Sequence, residues 1–130
     1  MTSIHPFLMF QGQADEAMEF YLSLFADAQI VEVERYGADE IGAKGAVKKA
    51  RLELEGQTIV CIDSPVPHPF TFTPSFSLFV ECESEEQIDY LASELAEDGA
   101  ILVPLDSYGS SRKFAWVNDR FGVSWQLNLA

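Results

Sequence analysis

Apolar positions along this chain change their period in a set order. Phe7, Leu8, Met9 and Phe10 form a continuous apolar run, long enough for a buried strand and too short for a helix. Gln11-Gly12-Gln13 interrupts it with a permissive turn residue. Ala14, Ala17, Met18, Tyr21, Leu22 and Phe25 then recur every three or four positions and share one helical face. Asp15 and Glu16 fall in the first turn, where carboxylates favour the positive end of the helix dipole. This pattern predicts a strand over residues 4–11 and a helix over 14–25. Apolar and charged residues alternate over 30–36, a half-exposed strand, before a three-glycine loop at 37–45. A strand over 47–55 turns at Glu55-Gly56-Gln57 into another over 58–63, giving a hairpin. In the first of these, Ala50, Leu52 and Leu54 share one face and Lys49, Arg51 and Glu53 the other.

The second half repeats the first. Phe7 and Phe10 recur as Phe76 and Phe79, 69 positions on. Glu16, Met18, Tyr21 and Phe25 recur as Glu86, Ile88, Leu91 and Leu95, 70 positions on, which suggests one inserted turn residue. A period near half the chain length indicates two copies of one supersecondary unit. Strands are expected over 75–81, 100–105, 113–117 and 123–129, with a helix over 85–97 and a loop over 107–111. Ser84 and Gln87 form a capping box for that helix, and Asp98-Gly99 ends it. Between the halves, Pro65, Pro67, Pro69 and Pro74 exclude both helix and central strand. The expected organisation is one α+β domain over 1–130: a βαβββ module at 1–63, a proline-rich linker at 64–74, and a second βαβββ module at 75–130.

Charge narrows the partners. Eight basic side chains against 21 acidic ones give a net charge of −13. Binding to nucleic acid or an anionic membrane surface depends on clustered Lys and Arg, so neither is expected. Cys61 lies in a predicted strand and Cys82 directly after one, without paired metal spacing, the usage expected of a reduced, cytoplasmic chain. No apolar run approaches the roughly 20 residues of a membrane-spanning helix. Residues 1–10 hold no Lys or Arg and have no signal-peptide layout.

The opening run Phe7-Leu8-Met9-Phe10, the helix with its Phe20-Tyr21 pair, and the ending Asn118-Asp119-Arg120-Phe121-Gly122-Val123-Ser124-Trp125-Gln126-Leu127 resemble the PhnB-like branch of the vicinal oxygen chelate superfamily. This is the glyoxalase, bleomycin-resistance and extradiol-dioxygenase group, and members of the branch often carry a demethylubiquinone methyltransferase-like name. The resemblance implies two βαβββ modules whose sheets curl into a cup with the helices outside, and a homodimer. It also implies metal-ligand positions at the starts of the first and fifth strands and the ends of the fourth and eighth. Here those positions carry Pro6 with His5 beside it, Ser75, Val60 and Gln126. Proline and valine have no ligating atom, and Gln126 offers only a neutral oxygen, so no metal or other cofactor is expected. His5 and His68 are expected in solvent. Methyl transfer from S-adenosylmethionine usually needs a glycine-rich turn after a strand, and the glycines of 37–45 are dispersed.

Period-two alternation proposes what lines the cup. If Gln126 faces it, so do Ser124 and Asn128, with Trp125 and Leu127 under the helix. The first strand then offers Phe10, the third Arg51, the fifth Phe79 and Glu81, and the seventh Phe114 and Trp116. Aromatic walls with few polar handles suit a small-molecule ligand. Lys48, Lys49, Arg51, Arg112 and Lys113 gather in or beside the third and seventh strands and suggest a planar or anionic one, unless they are cross-strand partners of neighbouring carboxylates. The function expected is small-molecule binding. The alternative is an enzyme of glyoxalase, lyase or dioxygenase type using a divalent metal or acid–base residues, for which Glu81 and Tyr108 are candidates without a spacing that singles out either.

Overall fold

A computed structural model describes all 130 residues, Met1–Ala130. The chain divides into two compact units, Met1–His68 and Pro69–Ala130, with the division inside the proline-rich stretch. Each unit is a βαβββ module.

The first comprises β1 (Phe7–Phe10), α1 (Ala14–Leu24), β2 (Ala28–Arg35), β3 (Val47–Leu54) and β4 (Gln57–Asp63). Its sheet runs β1-β4-β3-β2, with β1 parallel to β4 and the other pairs antiparallel. Ala50, Leu52, Ile59 and Cys61 form a buried face under α1, which contributes Ala14, Ala17, Met18 and Tyr21. Glu55 and Gly56 both have positive φ, at 49° and 85°, the primed turn that suits the twist of a two-residue hairpin.

The second module repeats this order with β5 (Ser77–Glu81), α2 (Glu85–Ala96), β6 (Ala100–Tyr108), β7 (Ser111–Asn118) and β8 (Ser124–Leu129). Its sheet runs β5-β8-β7-β6. Ile88, Leu91 and Leu95 of α2 cover Ala115, Val117, Trp125 and Leu127. The loop expected over 107–111 is instead a hairpin: Tyr108 pairs with Ser111 across a two-residue turn at Gly109-Ser110. Pro104 hides the length of β6 from a sequence reading; it is tolerated because β6 is an edge strand.

The two helices start differently. Ser84 caps α2 locally, its hydroxyl accepting from the Gln87 N–H at 3.1 Å. Gln13 makes no such bond to α1. Instead Asp63, at the end of β4, accepts from the N–H groups of Gly12 and Ala14 at 2.9 Å each, and its other oxygen accepts from Val47 at 3.0 Å. One buried carboxylate thus ties the β1–α1 turn to β3 and β4. Asp119 does a related job in the second module, accepting from Phe121, Val123 and the Trp125 indole.

Candidate functional site

The helix covers one face of each sheet. On the opposite, open face of the second sheet, strand register sets side chains in rows. Phe79, Gln126 and Trp116 are successive cross-strand partners on β5, β8 and β7. The next row toward one end is Glu81, Asn128 and Phe114; the next toward the other is Ser77, Ser124 and Asn118. Neighbouring strands lie ~4.8 Å apart, so the Gln126 amide is flanked by an aromatic ring on either side. Phe79 is 56% exposed, and Phe114, Trp116 and Gln126 are half-buried. Tyr108 extends the aromatic surface, its ring edge-on to Phe114 with centroids 6.3 Å apart.

Hydrogen bonds fix this face. The Trp116 indole N–H donates to the Ser124 hydroxyl at 2.8 Å. Ser124 and Ser77 hydroxyls lie 2.7 Å apart, and Ser77 donates on to the Pro74 carbonyl at 3.2 Å, so the direction runs from Ser124 to Ser77. Gln126 Nε2 also donates to Ser77, at 3.3 Å. In the far row Ser111 donates to Asn128 Oδ1 at 2.5 Å, and Asn128 Nδ2 donates to Glu81 Oε1 at 3.0 Å. Asn118 Oδ1 is buried and has no partner in the protein.

Of the seven side chains expected to share a site, five share this face: Phe79, Glu81, Phe114, Trp116 and Gln126. Arg51 lies on the open face of the first sheet, with its Nε donating to Glu32 at 2.9 Å across the β2–β3 ladder. Phe10 is a correction. It pairs with Asp63, whose carboxylate reaches the start of α1, so Phe10 lies on the helix-covered face and is 1% exposed. Phe7 and Met9 take the open face of β1 instead.

The basic residues also part company. Lys113 pairs with Leu129 on the helix-covered side and reaches Asp89 of α2 at 2.8 Å, a bond that raises its pKa. Lys48 is bonded to Glu40. The Tyr108 hydroxyl donates to the Pro104 carbonyl at 2.7 Å, away from Glu81's partner Asn128. His5, expected in solvent, is half-buried with Nδ1 shielded and unpartnered.

Asn118 escaped the sequence reading because its neighbours Asp119 and Gly122 mark a turn; only the register with Ser124 puts it on this face. No three His, Cys, Asp or Glu side chains converge anywhere to hold a metal ion. The four positions implied by the resemblance carry proline, serine, valine and glutamine. This donor set does not fit a divalent ion. No helix is long and apolar enough to cross a membrane.

Comparison with known proteins agrees with the topology. The profile of the 3-demethylubiquinone-9 3-methyltransferase family matches residues 2–128. A Bacillus cereus structure described as a putative 3-demethylubiquinone-9 3-methyltransferase, PhnB protein, is 55% identical, with a TM-score of 0.96 over 99% of this chain and 100% of that one. A Pseudomonas aeruginosa protein is 25% identical, with a TM-score of 0.86 over 99% and 98%. The fold alone is shared with the fosfomycin resistance protein FosX of Listeria monocytogenes, crystallised with Mn(II) and a dihydroxypropylphosphonic acid (11% identity, TM-score 0.63, 98% and 92% covered). No curated protein matches the sequence. A family match spanning nearly the whole chain, carried on two βαβββ modules, shows that this protein, to which the Bacillus cereus PhnB protein is similar over its full length, belongs to the 3-demethylubiquinone-9 3-methyltransferase family.

Proposed function

We propose that the protein binds a small, flat organic molecule reversibly on the open face of its second sheet, without a metal. The observation that carries this is the Phe79–Gln126–Trp116 row, an amide between two rings on a face the helix leaves open. Flat rings supply stacking area and the amide supplies orientation, the division of labour of small-molecule sites. Methyl transfer is not favoured: the turn after β1 holds Gly12 alone, and no glycine-rich strand-to-helix turn is present to seat a nucleotide-like donor. Acid–base chemistry is not favoured either, because the Tyr108 hydroxyl is engaged by the Pro104 carbonyl and Glu81 is exposed, with only a neutral amide as its partner.

A thermal-shift screen of aromatic compounds tests the reading, since a ligand specific to the folded state raises its midpoint. A hit that quenches Trp116 fluorescence should lose about tenfold or more in affinity in Trp116→Ala, the order expected for losing one stacked ring. Hits that bind Trp116→Ala equally well would place the site elsewhere. We further propose a homodimer, which would cover edge strands such as β2, where Val31 and Val33 are 54% and 41% exposed. Light scattering reporting about one chain mass at micromolar concentration would reject it.

A further inference from the structure

We infer that the ligand of this face carries positive charge: a planar aromatic cation. The inference rests on the binding reading above and adds the ligand's charge.

It follows from which groups are already used. The Trp116 indole proton goes to Ser124, the Ser124 proton to Ser77, and the Ser77 proton to Pro74. These donors are consumed inside the protein. An acceptor remains beside the aromatic row. Glu81, two residues along β5 from Phe79, is exposed and receives one N–H from Asn128 on one oxygen, leaving a charged acceptor beside the rings. A carboxylate with an unused oxygen beside open aromatic rings favours a molecule that brings positive charge to them. A cation over Trp116 or Phe114 gains from the ring quadrupole as well as from Glu81.

The positive residues that suggested an anion do not oppose this. Lys113 points to α2 and Arg51 is held by Glu32. Arg112 alone shares this side, two residues beyond Phe114 at the exposed end of β7, where water screens it. Asp106, the cross-strand partner of Phe114, offsets it.

The test is calorimetric titration of the intact protein with three probes of one shape: N-methylacridinium, neutral acridine and acridine-9-carboxylate. It is run near pH 8 in about 150 mM NaCl, so that the overall acidity is screened. The cation should bind about tenfold or more tightly than neutral acridine, with the carboxylate weakest. Glu81→Gln should erase the cation's advantage and leave neutral acridine unchanged. Glu19→Gln, an equal charge change on α1, should do nothing, and Arg112→Gln should not weaken the cation. Equal binding of cation and neutral probe, or an advantage that survives Glu81→Gln, overturns the charge inference and leaves the binding reading standing. A carboxylate that binds best and is lost in Arg112→Gln reverses the sign. Silence from all three probes, together with an empty aromatic screen, removes the binding reading and this inference with it.

Discussion

Two buried residues carry consequences larger than their size. Asp63 is 3% exposed and accepts three backbone N–H groups from two distant segments. Asp63→Ala strands those donors where water cannot reach them, at about 1–3 kcal/mol for each one left unpaired. Relaxation of the β1–α1 turn toward solvent recovers part, so a loss of about 3 kcal/mol is expected in urea denaturation. A loss below about 1 kcal/mol would mean the cap is dispensable. Cys61 is fully buried, and burial pushes its thiol from 9.0 up to about 12. The folded state therefore keeps a proton that the unfolded chain releases. The stabilisation is complete below pH 9 and drains away as pH rises toward about 12, in the direction set by linkage. Denaturation midpoints measured at about pH 8, 9.5 and 10.5 should fall less steeply in Cys61→Val than in the parent. Cys82, pushed up to about 11 by its own burial, keeps part of the slope in both proteins. Parallel slopes would show that Cys61 does not titrate on unfolding.

At the scale of elements, the end of α2 shows how a correct boundary can carry the wrong reason. Asp98-Gly99 suggests glycine in the left-handed conformation, but Asp98 takes it, with φ 59°. Gly99 is required for space: a Cβ there would lie 2.1 Å from the Asn118 carbonyl oxygen, across the β6–β7 ladder. Gly99→Ala should cost about 2 kcal/mol by forcing the strands apart, whereas Asp98→Gly should cost nothing. Thermal melts of the two variants decide between space and conformation. Strand content and helix spans were legible because period and caps are local signals. The faces of β1 were not. An offset of 69 aligned Phe10 with Phe79, and an odd offset reverses every side chain of a strand. An offset of 70, which the helices keep, aligns Leu8 with Leu78 and Phe10 with Val80, all on helix-covered faces. The β7 and β8 faces were read correctly because Ala115, Val117, Trp125 and Leu127 alternate without ambiguity. The α1 cap was unreadable in principle, since its acceptor lies 49 residues from Ala14.

For the whole molecule, charge is the property that sequence states and structure qualifies. An excess of 13 negative charges repels itself in any compact state. Opposing this are exposed ion pairs such as Arg35–Asp15, Arg51–Glu32 and Lys113–Asp89. Arg35 holds the Asp15 carboxyl below its ordinary range, yet both side chains remain about half exposed, at 45% and 51%. Pairs of this kind contribute at most about 1 kcal/mol each and often nothing measurable. Salt weakens both terms, and the sign of its effect shows which dominates. The pairs act over contact distance. The repulsion acts over the width of the molecule, where a Debye length shrinking from about 30 Å in 10 mM salt to under 10 Å above 100 mM removes most of it. The repulsive term therefore loses more. Raising NaCl from about 10 to about 200 mM should raise Tm by a few degrees, most of the gain arriving by about 100 mM. Adding positive charge should act in the same direction: Glu19→Lys, on an exposed turn of α1 free of the ion pairs described, should raise the low-salt Tm and flatten the salt dependence. A Tm that falls with added NaCl would mean that the surface pairs outweigh the excess of carboxylates.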